Sequence, residues 1–129
     1  MNYFPIFLNA RNIDAMVIGG GDVAARKIEL LLKSTTKITI MSVELSPSVG
    51  ALIKKHRLTW LAHQYKSGLL TDKTLVIAAT DDSEVNEAVF QEASDLKLLI
   101  NVVDQPELCS YITPAIIDRS PMIIALSSS

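Results

Sequence analysis

Short aliphatic runs alternate with amphipathic stretches along most of this chain, and that alternation restricts the available folds more than any other feature. Five runs stand out: Ala15 to Ile18, Lys37 to Ser42, Leu58 to His63, Thr74 to Ala79 and Leu98 to Val103. Parallel strands can be joined only through crossovers long enough to hold a helix, so runs spaced in this way predict an α/β sheet. The intervening stretches supply the helices. Val23 to Lys33 places Ala24, Ile28, Leu31 and Leu32 on one face. Ser46-Pro47 reads as an N-cap followed by proline at the first helical position, opening a helix that runs to about Arg57. Asp81 or Asp82 can cap a third helix, with Val85, Ala88, Val89 and Ala93 at helical spacing. Thr74 to Ala79 is the most apolar run and fits a central strand covered on both faces. After Val103 the pattern changes. Tyr111 to Asp118 and Met122 to Leu126 are separated only by Arg119-Ser120-Pro121, which predicts an antiparallel pair at the sheet's end.

Composition narrows the function classes. A chain of 129 residues, 49% hydrophobic but only 5% aromatic, has the aliphatic stock for one core and is not a disordered segment. The formal net charge of −2, with acids and bases mixed along the chain, offers no basic stripe for a phosphate backbone, so nucleic acid is not an expected partner. Cys109 is alone and cannot form an intrachain disulfide. No basic segment leads into an apolar signal core, and no apolar run approaches the roughly 20 residues that span a bilayer. The expectation is a cytoplasmic protein without a membrane partner. The apolar segment ending at Leu126 gives way to Ser127-Ser128-Ser129 with no closing helix. Two readings stay open for this end, a plain flexible terminus and a severed linker into a further domain.

The turn after the first run carries the chemistry. Gly19-Gly20-Gly21-Asp22-Val23-Ala24 stands between a strand and an amphipathic helix. In a Rossmann-type unit the first glycine permits the tight turn, the second lets backbone approach a pyrophosphate, and a third small residue lets helix and strand pack closely. Gly19, Gly21 and Ala24 fill these places, and the helix beginning at Asp22 and Val23 aims its unpaired N–H groups at the same spot. The fold expected is therefore a doubly wound, mostly parallel sheet with helices on both faces, binding a dinucleotide. Asp22 either caps the helix or lies beside the pyrophosphate, capping being the favoured role. About twenty residues on, where an acid usually holds the ribose hydroxyls, the chain has Met41 and Ser42, with Val43 and Glu44 next. Glu44 can serve if the strand runs slightly longer, and no arginine stands there to select a 2′-phosphate, so NAD is favoured over NADP. Thr80 and Asp81, after the fourth run, complete the candidate cofactor contacts.

Five segments in order resemble the precorrin-2 dehydrogenase domain of siroheme synthase: Pro5-Ile6-Phe7, the glycine turn with Arg26-Lys27, Ala78-Ala79-Thr80-Asp81-Asp82, Asn101-Val102-Val103-Asp104, and Pro114 through Pro121. The resemblance spans essentially the whole chain. It implies an NAD-dependent oxidation of precorrin-2 to sirohydrochlorin, with ferrous iron inserted in many members to give siroheme. In such proteins the aspartate matching Asp104 is regarded as the catalytic group. Its position is independently sensible, because it follows a strand at the carboxyl end where open α/β sheets collect ligands. As a residue before Gln105-Pro106 it also fits a plain turn. The resemblance further implies a homodimer, built by a helical segment that this chain does not reach. On that reading residues 1–113 are the nucleotide-binding domain and 114–129 the start of a truncated dimerisation and substrate segment; an isolated piece would bind nucleotide and fail to turn over. Arg119, Ser127 and Ser128 could hold the substrate's carboxylates, or Arg119 could simply be solvated. Met41 near the cofactor and Ser34-Thr35-Thr36 in place of a helix-ending glycine depart from the pattern.

His56 and His63 lack the paired spacing of a zinc site, and no permanent metal is expected. Cys109 has no identifiable base partner and reads as a small core residue. Two other functions use the same turn. One is a nucleotide-sensing regulatory module without catalysis, and the other is a redox enzyme acting on a different substrate. A sensor has no need of Asp104.

Overall fold

The computed structural model describes residues 1–128, and Ser129 of the serine run lies outside them. All five aliphatic runs are strands, the first with the bounds expected and the other four trimmed at their ends: β1 (Ala15–Ile18), β2 (Ile38–Met41), β3 (Thr59–Leu61), β4 (Leu75–Ala78) and β5 (Leu99–Val102). They form one wholly parallel sheet in the order β3-β2-β1-β4-β5. The helices that cross between them are α1 (Asp22–Leu32), α2 (Pro47–His56) and α3 (Ser83–Asp95). The order reverses direction between β1 and β4, which is the switch point where a Rossmann-type sheet opens a crevice.

Side chains alternate across the sheet, so each strand feeds two cores. One face carries Ala15, Val17, Ile38, Ile40 and Ile77 against Ala24, Ala25 and Ile28 of α1 and Val49 of α2. The other carries Met16, Ile18, Met41, Val76 and Ile100 against Val89 and Ala93 of α3. β1 and β4 are buried at every position, as continuous aliphatic runs covered on both faces must be. Along α3 the buried residues are Asn86, Val89 and Ala93, whereas Ala88 is exposed. Ala88 therefore does not belong to the buried stripe; an asparagine occupies the place that apolarity alone assigned elsewhere.

The C-terminal pair forms as β6 (Ala115–Arg119) and β7 (Met122–Leu126), antiparallel as expected. It departs from expectation in two respects. It is a two-stranded sheet of its own and not an extension of the main one. Its first strand begins at Ala115 and not Tyr111, because residues 109–111 are engaged along the outer edge of β5. There the Ser110 N–H donates to the Ile100 carbonyl (2.8 Å), the Ile100 N–H donates to Ser110 Oγ (2.9 Å), and the Val102 N–H donates to Cys109 Sγ (3.2 Å). Asn101 Nδ2 donates to the Tyr111 carbonyl (3.2 Å). Two side chains thus take the place of a sixth strand. Cys109 is half-buried, and its thiol lies 3.3 Å from the carbonyls of Val102 and Gln105, where it can donate. Among the described residues no helix is long and apolar enough to cross a membrane.

Candidate functional site

In a parallel sheet the loop after every strand leaves from the same edge, so the segments after β1, β2, β4 and β5 converge there. The turn after β1 is set by three glycines with three different duties. Gly19 has φ +131°, outside the range of L side chains, and an added Cβ would sit 2.8 Å from the Ala79 carbonyl carbon. Its N–H donates to the Met41 carbonyl (3.0 Å), and the Ala79 N–H donates to the Ile18 carbonyl (2.8 Å). Gly20 is pressed under the loop after β2: its carbonyl accepts from the Ser46 N–H (2.7 Å), and a Cβ there would run into the Glu44 carbonyl oxygen. Gly21 is exposed, and a Cβ would meet nothing within 4 Å. Ala24 is fully buried against the sheet.

The N-cap of α1 is Gly21, with no side-chain hydrogen bond to the first turn. Asp22 is the first helical residue and exposed, so its expected role as the cap is not met; a residue already in helical conformation cannot fold its carboxylate back as an N-cap does. The other two helices are capped. Ser46 Oγ accepts from the Val49 N–H (3.3 Å), and Asp82, not Asp81, accepts from the Glu84 and Val85 N–H groups (2.9 and 3.3 Å). The N–H groups opening α1 thus face the space beside Gly21 without a capping side chain, which suits an anion.

Val43 and Glu44 lie beside this turn and are exposed. The Glu44 backbone is fixed because its carbonyl accepts from Ser42 Oγ (2.6 Å), while the Ser42 carbonyl accepts from Trp60 Nε1 (2.8 Å). Its carboxylate is left to solvent at the end of β2, where a ribose would be held. Thr80 and Asp81 follow β4. Thr80 is half-buried and its hydroxyl proton is engaged, with Asn86 Oδ1 (2.6 Å) and the Asp82 carbonyl (3.1 Å) both in reach, while the oxygen accepts from the Asp82 N–H (3.2 Å). Asp81 is exposed.

Asp104 sits beyond β5, exposed, with φ +62°. The turn around it is closed by the Gln105 N–H on the Val102 carbonyl (3.2 Å) and by Cys109 at its neck. Aspartate tolerates this left-handed conformation better than most residues, but it is uncommon and directs the carboxylate from a fixed backbone. The glycine turn, Val43, Glu44, Thr80, Asp81 and Asp104 are therefore gathered along one sheet edge. Arg119 lies on the hairpin, which pairs with no strand of the main sheet, and Ser127 and Ser128 follow its second strand. Arg119 closes β6 and is not in the turn, and its Nη1 donates to the neighbouring Asp118 carbonyl (3.0 Å).

Two residues at this edge escaped the sequence reading of the site, Gly20 and Asn86. Gly20 stood within the motif but had no assigned duty. Asn86 could have been found as a polar residue three and seven positions before the apolar Val89 and Ala93. Among the described residues no group of three or more His, Cys, Asp or Glu could hold a metal ion.

Residues 6–115 match a family model described as "Putative NAD(P)-binding", in agreement with NAD as the cofactor. Siroheme synthase 1 of Serratia proteamaculans is 46% identical over 129 residues, covering 100% of this chain and 27% of that protein. The siroheme synthase of Mannheimia succiniciproducens is 44% identical over 128 residues, covering 99% and 27%. These matches bear out the resemblance carried by the motifs. The chain thus spans only about a quarter of the length of these curated relatives. A solved structure described as SirC, precorrin-2 dehydrogenase, superposes with a TM-score of 0.82 at 23% identity, covering 98% of this chain and 61% of that one; it shares the fold.

Proposed function

This chain belongs to the NAD(P)-binding family whose model spans residues 6–115, and from that premise we propose that it is the part of a siroheme-forming enzyme that oxidises precorrin-2 to sirohydrochlorin with NAD, in the cytoplasm. The observation that carries the reading is the placing of Asp104, on a fixed turn, along the same sheet edge as the open glycine turn. Bound there, NAD supplies the hydride acceptor. Gly21 leaves room for a pyrophosphate, the N–H groups opening α1 donate to its oxygens, and Glu44 accepts from ribose hydroxyls. The carboxylate of Asp104 accepts the proton that leaves the macrocycle as the hydride departs, so one base beside the ring suffices. In a second step with ferrous iron as substrate, the same carboxylate, its first proton released to solvent, takes one of the two pyrrole N–H protons that the metal displaces, and water takes the other.

The hairpin completes this reading. Ile116, Ile117, Met122, Ile123, Ile124 and Leu126 are all exposed, on both of its faces. Two strands alone are marginal in water, and an apolar pair of this kind calls for cover. A second copy of the chain in a homodimer is the cover proposed, with Arg119, Ser127 and Ser128 reaching substrate carboxylates in that assembly. The test supplies precorrin-2 and NAD to a protein carrying this chain at the full length of its relatives and follows the absorbance of sirohydrochlorin, before and after ferrous iron. Product from the parent and none from Asp104→Ala, with NAD still bound by both, is the expected result. Nucleotide binding without turnover in the parent would instead point to a nucleotide sensor or to a redox enzyme of a different substrate.

A further inference from the structure

Asn86 is the one buried polar residue among the described residues, 5% exposed on the inward face of α3. A buried amide is costly unless paired, and this one is paired entirely with a single residue. Its Nδ2 donates to the Thr80 carbonyl (3.0 Å), and its Oδ1 accepts from the Thr80 hydroxyl (2.6 Å) and, at the long limit, from the Thr80 N–H (3.4 Å). The β4 to β5 ladder ends at Ala78 and Val102, so Thr80 lies past the last strand pairing. The side chain of Asn86 pairs both backbone groups of Thr80, two residues past the end of β4, and carries the order of the strand into its loop. Thr80 matters because the glycine turn rests on it. A Cβ at Gly19 would touch the Ala79 carbonyl and lie 3.4 Å from the Thr80 nitrogen.

We propose that Asn86 is a positioning residue for the β4 side of the cofactor crevice. It fixes the Ala79–Thr80 backbone as the wall against which the nicotinamide half of the dinucleotide is placed. The inference rests on the NAD reading given above. It follows from the division of the crevice: the acid that holds the adenosine ribose comes from the end of β2, so the other mononucleotide crosses the switch point toward β4. It also gives Thr80 a different role from that expected of it, since a hydroxyl whose proton is engaged by Asn86 shapes the wall and has no proton to donate to a ligand. If Asn86 served the core alone, an apolar residue of its size would fill the space, and its hydrogen bonds would not all be spent on a residue at the ligand edge.

The test measures affinity of the chain for NAD and for ADP, which lacks the nicotinamide half, in the parent, Asn86→Leu, Thr80→Val and the double variant. Urea denaturation confirms in parallel that each is folded under the binding conditions. Asn86→Leu is expected to weaken NAD about tenfold while leaving ADP within about twofold, the loss of a hydrogen-bonded group that acts on only one half of the ligand. The double variant should be no worse than Asn86→Leu, because Asn86 acts through Thr80. Should Asn86→Leu fail to fold, Asn86→Asp keeps the size and the acceptor, removes the donor to the Thr80 carbonyl, and should show a smaller loss with the same preference for NAD. Equal losses for NAD and ADP, additive losses in the double variant, or no loss in a folded variant overturns the inference while the NAD reading stands. A parent chain that binds no NAD overturns both.

Discussion

β4 and β7 are close in composition, Leu-Val-Ile-Ala against Met-Ile-Ile-Ala-Leu, and opposite in surroundings. Every residue of β4 is buried and every residue of β7 is exposed. Side-chain apolarity does not explain the difference; the connections do. A parallel strand is left through a crossover, and the helices of such crossovers lie back over the sheet, so β4 is covered on one face by α3, which leads from it to β5, and on the other by α1, from the crossover between β1 and β2. β6 and β7 are joined through Ser120 and Pro121 alone. A two-residue turn brings no helix and hence no cover. In this chain the sheet carries its own burial, while the hairpin must find burial in something else.

The comparison can be tested from its functional side first. If the sheet edge holds the chemistry, Asp104→Ala in a full-length protein should lower sirohydrochlorin formation about a thousandfold, the scale of a lost general base, while Arg119→Ala on the hairpin should cost about tenfold at most. Comparable losses would place the reacting centre elsewhere. Stability is the next measure. Ile77 of β4 is 4% exposed and Ile124 of β7 is 41% exposed. In urea denaturation Ile77→Ala should destabilise by about 3 kcal/mol, whereas Ile124→Ala should change the chain at low concentration by no more than about 0.5 kcal/mol. A large loss from Ile124→Ala under those conditions would mean the hairpin is already covered within one chain.

Gly21→Ala should separate ligand space from packing within the sheet part. With nothing near the added Cβ, the fold should lose less than about 1 kcal/mol, while NAD affinity measured by titration falls about tenfold because the methyl enters the phosphate space. Unchanged affinity would remove the pyrophosphate from this turn. The smallest effect expected is one of pH. Tyr65 and Tyr111 hold their phenolic protons more tightly than the ordinary 10.0, through burial first in both, with the Glu92 hydrogen bond and charge adding for Tyr65 and Cys109 for Tyr111. The unfolded chain therefore releases these protons at lower pH than the folded one. Their contribution is intact below the ordinary value and is lost as pH rises past it. The urea midpoint should hold near about pH 8 and fall by about pH 11, and it should do so equally in Ile124→Ala, since neither tyrosine is on the hairpin.

What was legible in the sequence follows from what each signal measures. The five strands and three helices announce themselves through period and aliphatic content, because tertiary burial imposes both. The glycine turn was legible because Gly19 answers a backbone demand that no other residue meets. Asn86 was not, since apolar spacing passes over a polar residue that is buried for its hydrogen bonds and points to the exposed Ala88 instead. The role of Asp22 was misplaced by one residue, a shift that separates an N-cap from the first turn and that local pattern does not resolve. Whether the hairpin joined the sheet was equally beyond pattern, because the outer edge of β5 was already taken by Cys109 and Ser110 through hydrogen bonds that involve side chains.

That occupied edge has a consequence for how the molecule can grow. A bare sheet edge recruits any passing strand, including that of another chain in a crowded solution. Here one margin of the sheet is sealed by a thiol and a hydroxyl and the other ends in the three residues of β3. Strand-by-strand accretion therefore has little purchase on the main sheet.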